Sequence, residues 1–134
     1  MKNYDDWNEI KKSISKNRAN FRIKPREIYW VKIGQNVGDE EYGKGKYFAR
    51  PVIVVKKLTK DLFMGIPTTT TIKNNNYFHS FEYTSRKDGD IEVSAMILQL
   101  KAFSMKRIMN KLGVVNKTEF EKILEKAQEI FAPT

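Results

Sequence analysis

Arg50 and Pro51 open onto four consecutive apolar residues, Val52, Ile53, Val54 and Val55. A strand with one wet face alternates apolar and polar side chains, so an unbroken apolar run implies burial on both faces. Whatever this chain folds into must therefore cover both sides of one strand. Pro51 suits the start of such a strand, where a missing N–H is tolerated. Arg50 sets a permanent charge at its mouth. That guanidinium is either solvated where the strand surfaces or faces something anionic.

The surrounding sequence reads as further short strands separated by turn residues. Arg26 to Ile33 is rich in β-formers, and Leu62 to Thr70 forms the strand after "LTKD". "TIKNNN" is a polar turn. Tyr77 to Ser85 alternates, with Tyr77, His79, Phe81 and Tyr83 on one face. Asp88-Gly89 is a strong hairpin signal, and Ile91 to Phe103 reads as one strand. A short turn then leads to a last strand over 108–115. Residues 117–131 carry a helical apolar face of Phe120, Ile123, Leu124, Ala127, Ile130 and Phe131, with Asn116 and Glu119 placed to cap it. Strands joined by hairpins and closed by a C-terminal helix predict a mainly β, α+β fold, a small antiparallel barrel.

Two segments stand apart. Residues 1–25 are expected to be a helical extension and linker, its helix over 5–17 marked by Tyr4, Trp7, Ile10 and Ile14, ahead of a barrel domain over 26–134. Between the first two strands, "GQNVGDEEYGKGKYFA" has four glycines and no periodicity. A loop this long in a compact domain is more often functional or mobile than a mere connection.

Composition narrows the functions open to the chain. It has 134 residues, room for one domain and one core, and a net charge of +9. Residues 26–116 hold fifteen basic and nine acidic side chains, so the excess includes the body of the domain. A basic body suits a polyanion such as nucleic acid, or an acidic protein partner; it also serves solubility alone. No apolar run approaches the roughly 20 residues that span a membrane, and the charged N-terminus is no signal peptide, which predicts a cytoplasmic protein. Without cysteine there is no disulfide, thiolate nucleophile or thiolate metal site. No Walker loop, dinucleotide fingerprint or zinc spacing occurs, and no cofactor or metal is expected. His79, the single histidine, reads as a packed or partly exposed strand residue rather than a catalyst.

The run Pro67-Thr68-Thr69-Thr70-Thr71 is the remaining oddity. Threonine favours strands, which is reason enough for it; a row of hydroxyls can also hold phosphate oxygens. If the second and third strands form a hairpin, early residues of one meet late residues of the next. Arg50 then lies close to Thr68 and Thr69, which makes a candidate phosphate site beneath the glycine-rich loop.

These motifs occur in a familiar order. "EIYWVKIG", a loop bearing glycine and glutamate, "RPVIVV", "GIPTTT" and "SAMILQLK" together resemble the MazF/PemK (Kid-like) toxins of type II toxin–antitoxin modules, over roughly residues 26 to 131. The resemblance implies an SH3-like barrel, a homodimer, metal-independent cleavage of single-stranded RNA, and neutralisation by a cognate antitoxin protein. By this likeness Arg50 matches the family's RP arginine and Thr69 the threonine of its P-x-T segment, with Pro67 its proline and Thr70 in the neighbouring small polar position. Gln99 and Lys101 match its Q-x-R segment. Cleavage by the ribose 2′-OH gathers negative charge on phosphoryl oxygens, which Arg50 and Thr69 would stabilise. Thr68, Thr70, Gln99, Lys101, Lys44, Lys46 and Tyr47 would hold RNA, and Tyr42, Tyr47 and Phe48 could stack on bases or simply pack within the loop.

The chain also departs from the family pattern. Leu98 stands where many members carry an acidic residue before the glutamine, and Asp39 where some place a histidine. Asp39 or Glu40 is the candidate general base, with the alternative that there is no dedicated base. Two other classes stay open: a non-catalytic nucleic-acid-binding or regulatory barrel, kept open by Leu98, and a protein-directed poison like the gyrase-inhibiting CcdB toxins, disfavoured by a phosphate site.

Overall fold

The computed structural model describes residues 22–35 and 47–133. The expected helix over 5–17 lies outside them, as do Asp39, Glu40, Tyr42, Lys44 and Lys46.

Seven strands run in the order β1 (Glu27–Gln35), β2 (Tyr47–Lys57), β3 (Leu62–Thr69), β4 (Phe78–Ser85), β5 (Gly89–Met96), β6 (Lys101–Ser104) and β7 (Ile108–Val114), followed by the helix α1 (Lys117–Phe131). All pairs are antiparallel, and the sheet order is β4-β5-β3-β2-β1-β7, with β6 also on β3. The β1–β2 ladder extends to Gln35 and Tyr47, so the connection between them is shorter at both ends than the sequence suggests.

The double burial expected of the second strand is observed. Ile53 faces a core cluster with Ile28, Ile66, Phe81, Val93 and Leu112, onto which Phe120, Ile123 and Ala127 of α1 pack. Val52 and Val54 face a second cluster with Val31, Phe63, Phe103 and Ile108. Alternate residues of β2 thus feed two cores, which is why its sequence does not alternate.

The long strand expected over 91–103 is broken. A 3-10 turn at Ile97–Gln99 separates β5 from β6. Both pairs use the same edge of β3: Thr68 faces Ala95, and Gly65 faces Lys101. The two ladders are out of register by three residues. A straight strand cannot absorb that excess, so the chain buckles outward. Ile97 is buried, while Leu98 is left 62% exposed.

The sheet curls but does not close into the expected barrel, since no ladder joins β4 to β7. Their junction rests on packing and on the Arg86 N–H donating to the Leu112 carbonyl at 2.8 Å. Gly113 permits the approach: a Cβ there would stand 2.8 Å from the Thr84 carbonyl oxygen and 2.8 Å from the Tyr83 ring.

The tip of the β4–β5 hairpin is a three-residue loop of Arg86, Lys87 and Asp88, with Gly89 at φ +74°. That is the left-handed residue such loops require. Ser85 Oγ accepts from the N–H groups of Lys87 (3.1 Å) and Asp88 (3.2 Å), which fixes the tip. His79, Phe81 and Tyr83 share one face as expected, and that face is buried, but Tyr77 lies outside β4 and is 49% exposed. Asn116 caps α1, its Oδ1 accepting from the Glu119 N–H at 2.9 Å. The Glu119 carboxylate does not turn back to complete a capping box; it meets His79 Nε2 at 2.6 Å.

Candidate functional site

The β2–β3 ladder sets Val52 opposite Pro67. Continuing it by period places Pro51 opposite Thr68 and Arg50 opposite Thr69. Two hydrogen bonds lock this end: Thr68 Oγ1 donates to the Pro51 carbonyl at 3.1 Å, and Arg50 Nη1 donates to the Thr68 carbonyl at 3.3 Å. A guanidinium has five N–H donors, so this bond does not exhaust it. The Arg50 guanidinium also stands 4.8 Å from the centroid of the Phe48 ring. Arg50 is half-buried, which strengthens its field without removing it from a ligand's reach.

The three threonines divide the work. Thr68 is 1% exposed, and its hydroxyl is committed inside the fold. Thr69 is half-buried; its Oγ1 accepts from the Thr71 N–H at 3.2 Å, which leaves the hydroxyl proton to donate elsewhere. Thr70 is exposed. All three line one cleft of about 330 Å³ with Arg50 and Phe48. The structure therefore brings Arg50, Thr68, Thr69 and Thr70 together, in the register the hairpin argument gives.

Gln99 and Lys101 do not join this cleft. They line a separate hollow of about 250 Å³ with Ile33, Pro67, Leu98 and Phe103. Thr68 and Pro67, adjacent on β3, each border one of the two. Lys101 Nζ lies 5.1 Å from the Phe103 ring centroid. Tyr47 contributes backbone to β2. A larger hollow, about 690 Å³, lies away from both threonine and arginine, between Tyr77, Leu98 and the Lys126 and Ile130 side of α1.

The opposite wall of the Arg50 cleft comes from residues that sequence reasoning passed over. Trp30 of β1 faces Pro51 across the β1–β2 ladder. Lys87 and Asp88 reach the cleft from the β4–β5 hairpin tip. Lys87 Nζ stands 5.0 Å from the Trp30 ring centroid. The "RKDG" segment is legible as a turn, but only the approach of β4 to β7 carries it to this site. Beneath it, burial raises the Tyr83 phenol above its ordinary value; the Ser85 hydroxyl opposes this, and the charge of Asp88 adds to it. Among the described residues, no group of three His, Asp or Glu side chains could hold a metal ion.

No curated protein sequence matches the chain. Solved structures do, at the level of fold. The Mycobacterium tuberculosis toxin MazF-mt6 aligns with a TM-score of 0.58 at 14% identity, covering 79% of this chain and 96% of that one. An endoribonuclease in complex with its cognate antitoxin, from a mycobacterial species, aligns with a TM-score of 0.58 at 14% identity over 84% of this chain and 100% of its own. A further Mtb toxin aligns at 0.51, again at 14% identity, covering 61% of this chain and 92% of that one. The family model of the PemK-like, MazF-like toxins of type II toxin–antitoxin systems matches residues 24–131, and to that family the chain belongs.

Proposed function

We propose that this protein is the endoribonuclease toxin of a type II module and that it cleaves single-stranded RNA without a metal. The ribose 2′-oxygen attacks the adjacent phosphorus and the bond from phosphorus to the 5′-oxygen breaks. The leaving 5′-oxygen takes a proton from solvent water, and the products are a 2′,3′-cyclic phosphate and a 5′-hydroxyl. The observation that carries this reading is one cleft lined by both Arg50 and Thr69, a guanidinium held to the Thr68 carbonyl and a half-buried hydroxyl. Donors held in place before reaction stabilise charge that develops on the phosphoryl oxygens.

Arg50 is the catalytic cation in this scheme, and Thr69 supports the same phosphate. Thr68 is a positioning residue, since its carbonyl accepts from Arg50 and its hydroxyl ties β3 to Pro51. Thr70, Gln99, Lys101, Lys44, Lys46 and Tyr47 hold the flanking strand, with Gln99 and Lys101 acting from the neighbouring hollow. Asp39 or Glu40 takes the 2′-hydroxyl proton. The net charge of +9 favours a polyanionic substrate. The partners that follow are a cognate antitoxin and a second copy of the chain. The antitoxin bound to the similar mycobacterial endoribonuclease supports the first.

The test is incubation of a long single-stranded RNA with the protein in EDTA, wild type beside Arg50→Ala. Wild type is expected to cleave, and the variant to lose about 10²–10³ in rate while keeping a cooperative thermal melt. Substantial cleavage by Arg50→Ala would sink the assignment. Binding without cleavage by wild type would favour the non-catalytic alternative.

A further inference from the structure

Three aromatic rings line the cleft, Trp30, Phe48 and Tyr83, and a cation covers two of them. Arg50 stands over Phe48 at 4.8 Å, and Lys87 stands over Trp30 at 5.0 Å. The cross-strand pairing of Trp30 with Pro51 sets the second ring beside the residue that follows Arg50. A register shift between Trp30 and Val31 in the β1–β7 ladder marks an irregularity at this point, of the kind that re-aims a side chain.

We infer that Trp30, Lys87 and Asp88 form a nucleobase subsite that selects guanine next to the phosphate held by Arg50. This rests on the reading of the cleft as an RNA site. A single strand presents a phosphate and a base in every nucleotide. An exposed cation over a ring is a weaker contact than a base stacked on the same ring. Lys87 therefore moves from Trp30 to a phosphate oxygen, and the uncovered ring takes the base. The exchange satisfies both groups at once, where either ligand part alone would satisfy one.

Asp88 supplies the selection. An ionised carboxylate only accepts hydrogen bonds, and a phosphate placed against it would be repelled. Its proper partner is a base edge with donors. Guanine presents N1–H and N2–H side by side, matching the two carboxylate oxygens. Adenine and cytosine present an amino group beside an acceptor nitrogen, and uracil one N–H between two carbonyls. Asp88 lines the cleft together with Trp30 and Lys87, so its carboxylate borders the space the base would enter. The hairpin that carries Lys87 and Asp88 is held in advance by Ser85 Oγ and by the Arg86 bond to β7. Little ordering remains for binding to accomplish.

The full chain carrying Trp7→Phe leaves Trp30 as its single tryptophan. The probes are 2′-deoxy hexamers of uridine with one central G, A, C or U, which lack the attacking hydroxyl. The G hexamer is expected to quench Trp30 emission and to bind about tenfold tighter than the others. Asp88→Asn should bring the four within about threefold. Lys87→Ala should weaken all four and lower the salt slope of log affinity by about 1. Equal affinities in wild type, preserved preference in Asp88→Asn, or saturable binding without quenching overturns the subsite. If the hexamers behave as expected but RNA is not cleaved, the subsite stands and the endoribonuclease reading fails. If Arg50-dependent cleavage occurs with no guanine preference, the reading stands and the subsite fails.

Discussion

Thr68 and Thr69 are adjacent and chemically identical, yet their environments predict opposite phenotypes on removal of the hydroxyl. Thr68→Val keeps the shape and deletes the donor to Pro51. The residue is 1% exposed, so water cannot replace the lost 3.1 Å bond, and the Pro51 carbonyl loses a partner. The cost is about 1–3 kcal/mol for stranding a buried group. At about 4 °C per kcal/mol for a domain of this size, Tm should fall by about 4–12 °C. Arg50 hangs from the Thr68 backbone carbonyl rather than from the hydroxyl, so well below its melt the variant should retain cleavage within a few-fold. Thr69→Val removes a half-exposed hydroxyl whose internal role is to accept from Thr71 N–H. Water can take over that bond, so Tm should move by less than about 2 °C. Cleavage should fall by about 10²-fold, as when one transition-state donor is lost. Single-turnover cleavage and calorimetry on both variants read the four numbers. An unshifted Tm with lost cleavage in Thr68→Val would refute the geometry, because that hydroxyl would then face substrate. Full cleavage by Thr69→Val would remove its catalytic role.

The remaining predictions concern the frame. Gly113→Ala should cost about 1–3 kcal/mol in urea melts, since its Cβ would collide with the Thr84 carbonyl and the Tyr83 ring at 2.8 Å; an unchanged midpoint would mean β4 and β7 do not meet there. Glu119→Ala should cost a similar amount, about 1–3 kcal/mol, seen as a lower urea midpoint, because buried His79 loses its 2.6 Å partner on α1. Burial works to raise the Glu27 carboxyl, but hydrogen bonds from Lys111, the Lys24 N–H and Tyr29 outweigh it and hold the value below 4.5. A depressed carboxyl contributes stability that is complete above its unfolded value and is lost as pH falls through the folded one. Glu27→Gln should therefore destabilise at pH 7 and show a flatter loss below pH 4.5 than wild type, read from urea midpoints across that range.

What the sequence made legible was local, or repeated with a short period. The apolar run of β2 declares burial on two faces, because no single-faced strand tolerates it. The β2–β3 hairpin then brings Arg50 to Thr69 by counting alone, since its turn is short and antiparallel pairing leaves little freedom. Asn116 at the start of α1 and Gly89 at the hairpin tip are legible for the same reason: each meets a backbone requirement within a few residues. The break at Ile97–Gln99 was not legible, because "AMILQL" is equally apolar whether it runs straight or buckles. Only the mismatch between two ladders on β3 reveals it, and that depends on partners distant in sequence. The Trp30–Lys87 contact is hidden more deeply. It requires β1 to pair with β7, the Arg86 N–H to reach Leu112, and glycine at 113 to let the strands approach. A wall built by long-range closure leaves no periodic trace in the sequence. The Arg50–threonine rim is then legible from the chain itself, whereas the far wall of its cleft becomes legible only once the sheet has curled.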